Sequence, residues 1–185
     1  MDYRIKRSNR RTISIELTPE GILVRAPYRA SDAEIEAVLQ KHRRWIQTHQ
    51  KKQAEQMQTA QEEGLLSYDD ICALAEQARD YIPRRIDHYA PLIGVRPGRI
   101  TIRNQKTRWG SCSAKGNLNF NCLLMLTPPE VIDSIVVHEL CHLKHMNHSR
   151  AFYDEILRVY PEYHKWHHWL REHGGAIMKR MTQGR

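Results

Sequence analysis

The run Ile135–Phe152, I-V-V-H-E-L-C-H-L-K-H-M-N-H-S-R-A-F, constrains this chain more than any other stretch. It carries His-Glu-x-x-His as His138, Glu139 and His142, preceded by apolar residues. On a helix, residues four apart share a face one turn apart, so both imidazoles can address one ion. Glu139, offset by one residue, can reach a ligand of that ion. Catalytic zinc takes three protein ligands and keeps one position open, and a carboxylate beside a water in that position can take its proton. The spacing predicts one zinc per chain with Glu139 as general base. The competing reading is a histidine-rich helix that binds nothing. Against it, Glu139 between Val137 and Leu140 is costly to bury without a partner.

The third ligand lies beyond this turn. His148 is expected to supply it. Asn147 can leave the helix in a left-handed conformation, and Ser149 can cap the next helix, a corner that turns His148 back toward the ion. A carboxylate on the following helix, Glu155 or Asp154, is the alternative. His145 sits near the same stripe but too far along the axis.

Three segments together, T-R-W-G-S-C-S-A-K-G-N-L-N-F-N from Thr107, V-V-H-E-L-C-H-L and N-H-S-x-x-F, resemble the YgjP-like metallopeptidase family, zinc hydrolases related to SprT-like and Wss-type zincins. The resemblance runs from about Tyr3 to Gly174. It implies that His138, His142 and His148 bind zinc, that Glu139 is catalytic and that Phe152 closes the motif. It also implies an α+β, zincin-like fold, with a small antiparallel or mixed sheet flanking the cleft beside the motif helix.

The 185 residues suffice for one domain with a full core. No apolar run reaches membrane-spanning length, and the N-terminus has no secretory h-region. Cys72, Cys112, Cys122 and Cys141 lack short paired spacing, as in a reduced cytoplasmic protein. Cys112 and Cys122 could face each other across a hairpin, but two buried thiols are the simpler reading. The net charge of +8, concentrated in Arg4–Arg11 and Lys41–Lys52, favours acidic partners. It leaves weak nucleic-acid association through a basic surface open beside a merely solvated face.

Alternation and turn residues predict strands at 3–7, 11–17 and 21–26, an antiparallel meander. Ser31–Glu34 is a capping box opening a helix, which continues as an exposed extension to Gly64. A second helix starts at Ser67, and Pro83 should kink or interrupt it. Residues 99–103 read as a strand, 108–113 and 117–121 as a hairpin, and 123–126 as continued sheet. Thr127 should cap the motif helix. The last helix should stop at Gly174-Gly175. The expected units are 1–64, the meander and helix extension; 65–175, a zincin-like metallohydrolase core; and 176–185, a loose basic tail, all in one compact body.

Function is expected to be zinc-dependent hydrolysis, first of peptide or protein substrates. A nucleotide pyrophosphatase, splitting a nucleoside triphosphate such as UTP, is the alternative, and a nucleic-acid-associated protein with structural zinc is the third reading. Arg108, Trp109, Gly110 and Ser111 are candidate substrate-binding residues, since Gly110 would let a backbone approach closely. Tyr160, Tyr163 and His164 are candidate oxyanion stabilisers. Lys106, Lys144 and Arg150 are further cations near the motif in sequence.

Overall fold

Residues 3–18 and 20–181 are described by a computed structural model. Ile22, Val24 and Ala26 alternate along β3 (Gly21–Pro27) and are buried, which makes this strand the centre of the first sheet. β1 (Tyr3–Ser8) pairs with it in parallel and β2 (Ser14–Thr18) antiparallel, in the order β1-β3-β2. The expected meander is therefore corrected, since only β2 and β3 form a hairpin. The strand with a buried residue at each second position takes the middle, and the two less buried strands take the edges.

α1 (Asp32–Lys41) opens at the predicted capping box: the Glu34 amide donates to Ser31 Oγ at 3.2 Å, and the Ser31 amide donates to Glu34 at 2.8 Å. Ile35, Leu39 and Ile46 join Ile22, Val24 and Ala26 in a small core. The helix breaks at His42, and α2 (Arg43–Glu62) follows. One compact unit ends at Glu55 and a second begins at Gln56, so the divide falls inside α2.

In the second unit, Ser67 and Asp70 form another capping box at the start of α3 (Tyr68–Ile93). This helix runs unbroken through Pro83 and Pro91, where the sequence predicts a kink or interruption. Buried Leu74, Ala78, Ile82, Ile86, Tyr89 and Ile93 flank Pro83 on both sides, and their packing offsets the lost backbone bond. β4 (Ile100–Arg103), β5 (Gly110–Cys112) and β6 (Leu118–Asn121) form a mixed sheet. β4 pairs parallel and β5 antiparallel with β6, in the order β4-β6-β5, which leaves β5 at an edge. The predicted hairpin around residues 114–116 is present.

Beyond it, Cys122–Leu126 is a 3-10 helix rather than more strand. Buried Asn121 ends β6 by accepting the Leu123 amide at 3.1 Å. α4 (Pro129–Cys141) carries the motif and is buried on nearly all sides. Pro128, not Thr127, is its N-cap, because the Thr127 hydroxyl donates instead to the Leu124 carbonyl at 2.7 Å. Arg85 of α3 grips Asp133 of α4 with two bonds of 2.6 and 2.9 Å, and the Tyr89 hydroxyl donates to the same carboxylate at 3.1 Å.

α5 (Arg150–Val159) and α6 (Tyr163–Lys179) complete the unit. α6 continues through Gly174-Gly175, where the sequence predicts a stop. A Cβ at Gly174 would lie 2.9 Å from Trp109 Cζ2, and one at Gly175 would collide with the Gln56 amide. The pair is a notch for two side chains, not a helix end. Residues 176–179 are consequently helical, and the Leu66 amide donates to the Arg180 carbonyl at 2.8 Å beside a parallel bridge between Leu66 and Met181, so the expected loose tail is corrected as far as 181; residues 182–185 lie outside the described residues. No helix among the described residues is long and apolar enough to cross a membrane.

Candidate metal centre

The motif helix ends as its second histidine is placed. His142 is the C-cap of α4, and its amide bonds back to the His138 carbonyl at 3.3 Å. The chain then turns through residues 143–148 to Ser149, the N-cap of α5. No non-glycine residue among those described has a positive φ, so Asn147 makes this corner without the expected left-handed conformation. The corner returns His148 to the helix. His138 Nε2 lies 3.2 Å from His142 Nε2 and 3.2 Å from His148 Nε2, and one ligand atom from each ring lies within 4.8 Å of the others.

This donor set suits zinc. The His142 Nδ1–H donates to the His145 carbonyl at 3.0 Å, and a carbonyl only accepts, so the Nε2 lone pair of the neutral ring is free. Burial, the main cause, then the neighbouring histidines, pushes His138 down to about 3, and burial lowers His142 as well. Both rings are therefore uncharged donors at neutral pH. Tetrahedral zinc with bonds of 2.0–2.1 Å to nitrogen sets its ligands about 3.3 Å apart, close to the two spacings observed. Phe152, fully buried, lies against all three imidazoles, with ring centroids 5.0, 4.6 and 4.9 Å from His138, His142 and His148. It holds the cluster without adding a polar competitor. Neither alternative third ligand joins the group. Glu155 is bound to Lys144 at 2.8 Å and Arg158 at 3.0 Å, and Asp154 faces Arg150 at 3.8 Å.

Glu139 is 5% exposed, and its carboxylate has no hydrogen-bond partner among the described residues. Burial pushes it up to about 8, while the charge of Arg108 acts in the opposite direction. The edge strand β5 packs against Glu139 at Gly110. A Cβ at Gly110 would lie 2.6 Å from Glu139 Oε1. A buried acid packed on an edge strand thus directly follows, in sequence, the first of three converging imidazoles.

The description "YgjP-like, metallopeptidase domain" matches residues 11–74 and 71–173. The chain belongs to the YgjP-like metallopeptidase family. A curated relative, the UTP pyrophosphatase of Escherichia coli (strain K12), is 33% identical over 60 residues, 32% of this chain and 36% of that protein. The chain thus matches only about a third of that relative's length. Among solved structures, the metallopeptidase zymogen of Pyrococcus abyssi abylysin is 29% identical, with a TM-score of 0.42, over 45% of this chain and 85% of that one. The zymogen of Methanocaldococcus jannaschii jannalysin is 22% identical, with a TM-score of 0.44, over 49% and 93%.

Other positions singled out in this YgjP-like sequence fall in different places. Arg108 is exposed, two residues before Gly110. The Trp109 indole is half-buried against Gly174 of α6, and Ser111 Oγ accepts from Asn119 Nδ2 at 3.2 Å. The Tyr160 hydroxyl donates to the Glu130 carbonyl at 3.0 Å, which commits it away from the histidines. His164 is exposed, with ring contacts to Tyr153 and Tyr163. Tyr163 is buried, and its hydroxyl lies 2.8 Å from His138 Nδ1, behind the ring rather than over the open side.

Sequence reasoning missed Asn121. Its Nδ2 donates to the carbonyls of Gln105 and Arg108 at 2.7 and 2.9 Å and so pins the loop that delivers Gly110. A polar residue where the Leu118–Phe120 alternation meets an apolar run was the available signal.

Proposed function

We propose that this chain is a zinc-dependent hydrolase that cleaves peptide bonds. The observation that carries the reading is the contact between Glu139 and the backbone of β5 at Gly110. An extended peptide that adds to the free edge of β5 by main-chain hydrogen bonds brings a carbonyl to the Glu139 carboxylate. His138, His142 and His148 would hold the ion. Zinc, when bound, supplies a Lewis acid and makes water acidic enough to surrender a proton near neutral pH. Glu139 would take that proton and pass it to the departing amine. Phe152 and the apolar wall of α4 keep bulk water from the back of the site. With Tyr160 and Tyr163 committed elsewhere, Arg108 is the nearest candidate to stabilise a developing oxyanion.

One observation favours a second reading, hydrolysis of a nucleoside triphosphate. Arg108 is an exposed cation near Glu139, with Lys106 two residues away and also exposed. Both could take phosphate oxygens, and the Escherichia coli relative carries the name UTP pyrophosphatase. Wild type and Glu139→Gln, both zinc-loaded, should be assayed on unfolded protein, a peptide library and the four nucleoside triphosphates. Peptide cleavage that falls about a hundredfold or more in the variant supports the first reading. Glutamate-dependent pyrophosphate release with every peptide intact would replace it by the second.

A further inference from the structure

Among the described residues, the first sheet has two outer strands, β1 and β2, each paired on one side alone. An edge strand offers unpaired backbone donors and acceptors to another chain, and charged side chains along it discourage such pairing. β1 carries Arg4, Lys6 and Arg7, whereas the one charge on β2, Glu16, is held by Arg25 at 2.7 Å. β2 is therefore the less protected edge. Beside it lies a groove of about 370 Å³, lined by Ile13, Ser14 and Ile15 of the strand side and by Val38, His42 and Trp45 of the helix side. Side chains alternate between the two faces of a strand. Lining by three consecutive residues means that the groove runs along the edge of the strand, not only under one face.

The groove has an anchor and a charge. Trp45 is 43% exposed, although tryptophan is highly buried on average. The His49 ring packs on its indole with centroids 4.4 Å apart, and His49 Nδ1 lies 2.9 Å from the Trp45 carbonyl. An indole braced in this way has little freedom left to lose on binding, as suits an interface anchor. The surrounding charge is positive. The first compact unit carries twelve lysines and arginines against seven aspartates and glutamates, so most of the net +8 falls within it. Glu20, Asp32 and Glu16 are already paired with Arg4, Arg7 and Arg25. Arg11 lies two residues before Ile13, and Lys41 and Arg44 adjoin His42 and Trp45. All three are exposed and form no ion pair among the described residues.

We propose that this groove docks an extended, acidic polypeptide segment, which adds to β2 as a further strand. Main-chain hydrogen bonds to the strand edge supply affinity, and alternate side chains supply selectivity. An apolar side chain of the partner seats against Trp45, Ile15 and Val38. Carboxylates flanking it face Arg11, Lys41 and Arg44, which steer the encounter and fix which segments dock. A single-stranded nucleic acid would also use the cations and the indole. It has no use for a free strand edge, and the aliphatic lining suits a side chain better than a base. The groove lies wholly within the first compact unit, so the proposal does not rest on the metal centre or on its chemistry.

The test uses the full chain carrying Glu139→Gln, so that no probe is consumed, and fluorescence anisotropy of labelled probes. One probe is the peptide Glu-Glu-Val-Thr-Val-Thr-Val-Glu-Glu, the second is the same peptide with lysine for each glutamate, and the third is dodecathymidylate. The acidic peptide should bind saturably and about tenfold or more tighter than its lysine counterpart. Adding Trp45→Ala should weaken it about tenfold. Adding Lys41→Glu and Arg44→Glu instead should reverse the order of the two peptides. Amide hydrogen exchange across Ser14–Thr18 should slow when the acidic peptide is bound. Equal binding of the two peptides, a folded Trp45→Ala chain within about twofold of the parent, or unslowed exchange along β2 overturns the proposal. Binding of dodecathymidylate that Trp45→Ala removes, with neither peptide bound, overturns it in favour of a nucleic acid. If Trp45→Ala does not fold, the charge-reversed chain, altered at exposed positions alone, decides.

Discussion

Gly110 and Glu139 are in contact, backbone against carboxylate: a Cβ on Gly110 would stand 2.6 Å from Oε1, 2.8 Å from Cγ and 2.9 Å from Cδ of Glu139. Glutamate is one of the least suitable residues to bury unpaired. In this fold it is held between the motif helix and the edge of a sheet.

A methyl group at position 110 therefore has to displace the acid. Gly110→Ala should keep zinc content at the wild-type level and reduce turnover by at least tenfold, because a small misplacement of a general base is costly. Parallel metal analysis and kinetics check this. Unchanged turnover would mean that Glu139 can yield without loss and that its position against β5 is incidental.

The proton affinity of Glu139 gives a stability prediction for the metal-free chain. Its folded value is raised from 4.5 to about 8 by burial. The folded chain therefore holds this proton more tightly than the unfolded chain does. The contribution to stability is intact below about pH 4.5 and declines as the pH rises toward 8. Metal-free Glu139→Gln should melt several degrees above metal-free wild type at pH 8. The gap should close as the pH is lowered to 4.5. A gap that widens on acidification contradicts the assignment.

Glu155 behaves in the opposite way. Arg158 and then Lys144 hold its carboxylate down at about 2 from an ordinary 4.5. The stabilising effect of this cluster should be complete above about pH 4.5 and disappear as the pH falls through 2. Glu155→Gln should be less stable than wild type at pH 6, with the difference shrinking between pH 4.5 and 2 in urea titrations. A difference that persists undiminished at pH 2 would show that charge is not its source.

Arg85, Tyr89 and Asp133 tie α3 to the motif helix in the core. Breaking a largely buried, doubly hydrogen-bonded pair by removing one partner leaves an uncompensated charge. Arg85→Met should destabilise the fold by about 3 kcal/mol, read from the urea midpoint at constant slope. It should leave zinc affinity of the folded protein unchanged.

Much of the site could be read from local spacing. His138 and His142 follow from one helical turn, and His148 from a corner short enough to return it. The capping box at Ser31 and the helix start at Ser67 were legible because a cap is a four-residue event. What failed was decided at longer range. The parallel pairing of β1 depends on which strand is buried most, not on the turn that follows it. Gly174-Gly175 reads as a stop because glycine ends helices, yet here it clears space for Trp109 and Gln56, distant in sequence. Residues 123–126 look like strand by apolar content, and the Asn121 side chain diverts them into a 3-10 turn. The back partner of His138 lies 25 residues along the chain and leaves no local trace.

The most direct test of the account is zinc stoichiometry by mass spectrometry of the full-length chain and its His148→Ala variant, each purified, stripped and reloaded with one equivalent of zinc. His148 is the ligand that only the fold brings to the motif. The account predicts one tightly held zinc per wild-type chain and loss of most of it on gel filtration of the variant. A wild-type chain that elutes without zinc, or a variant that retains it as wild type does, contradicts the three-histidine centre on which the proposed chemistry depends.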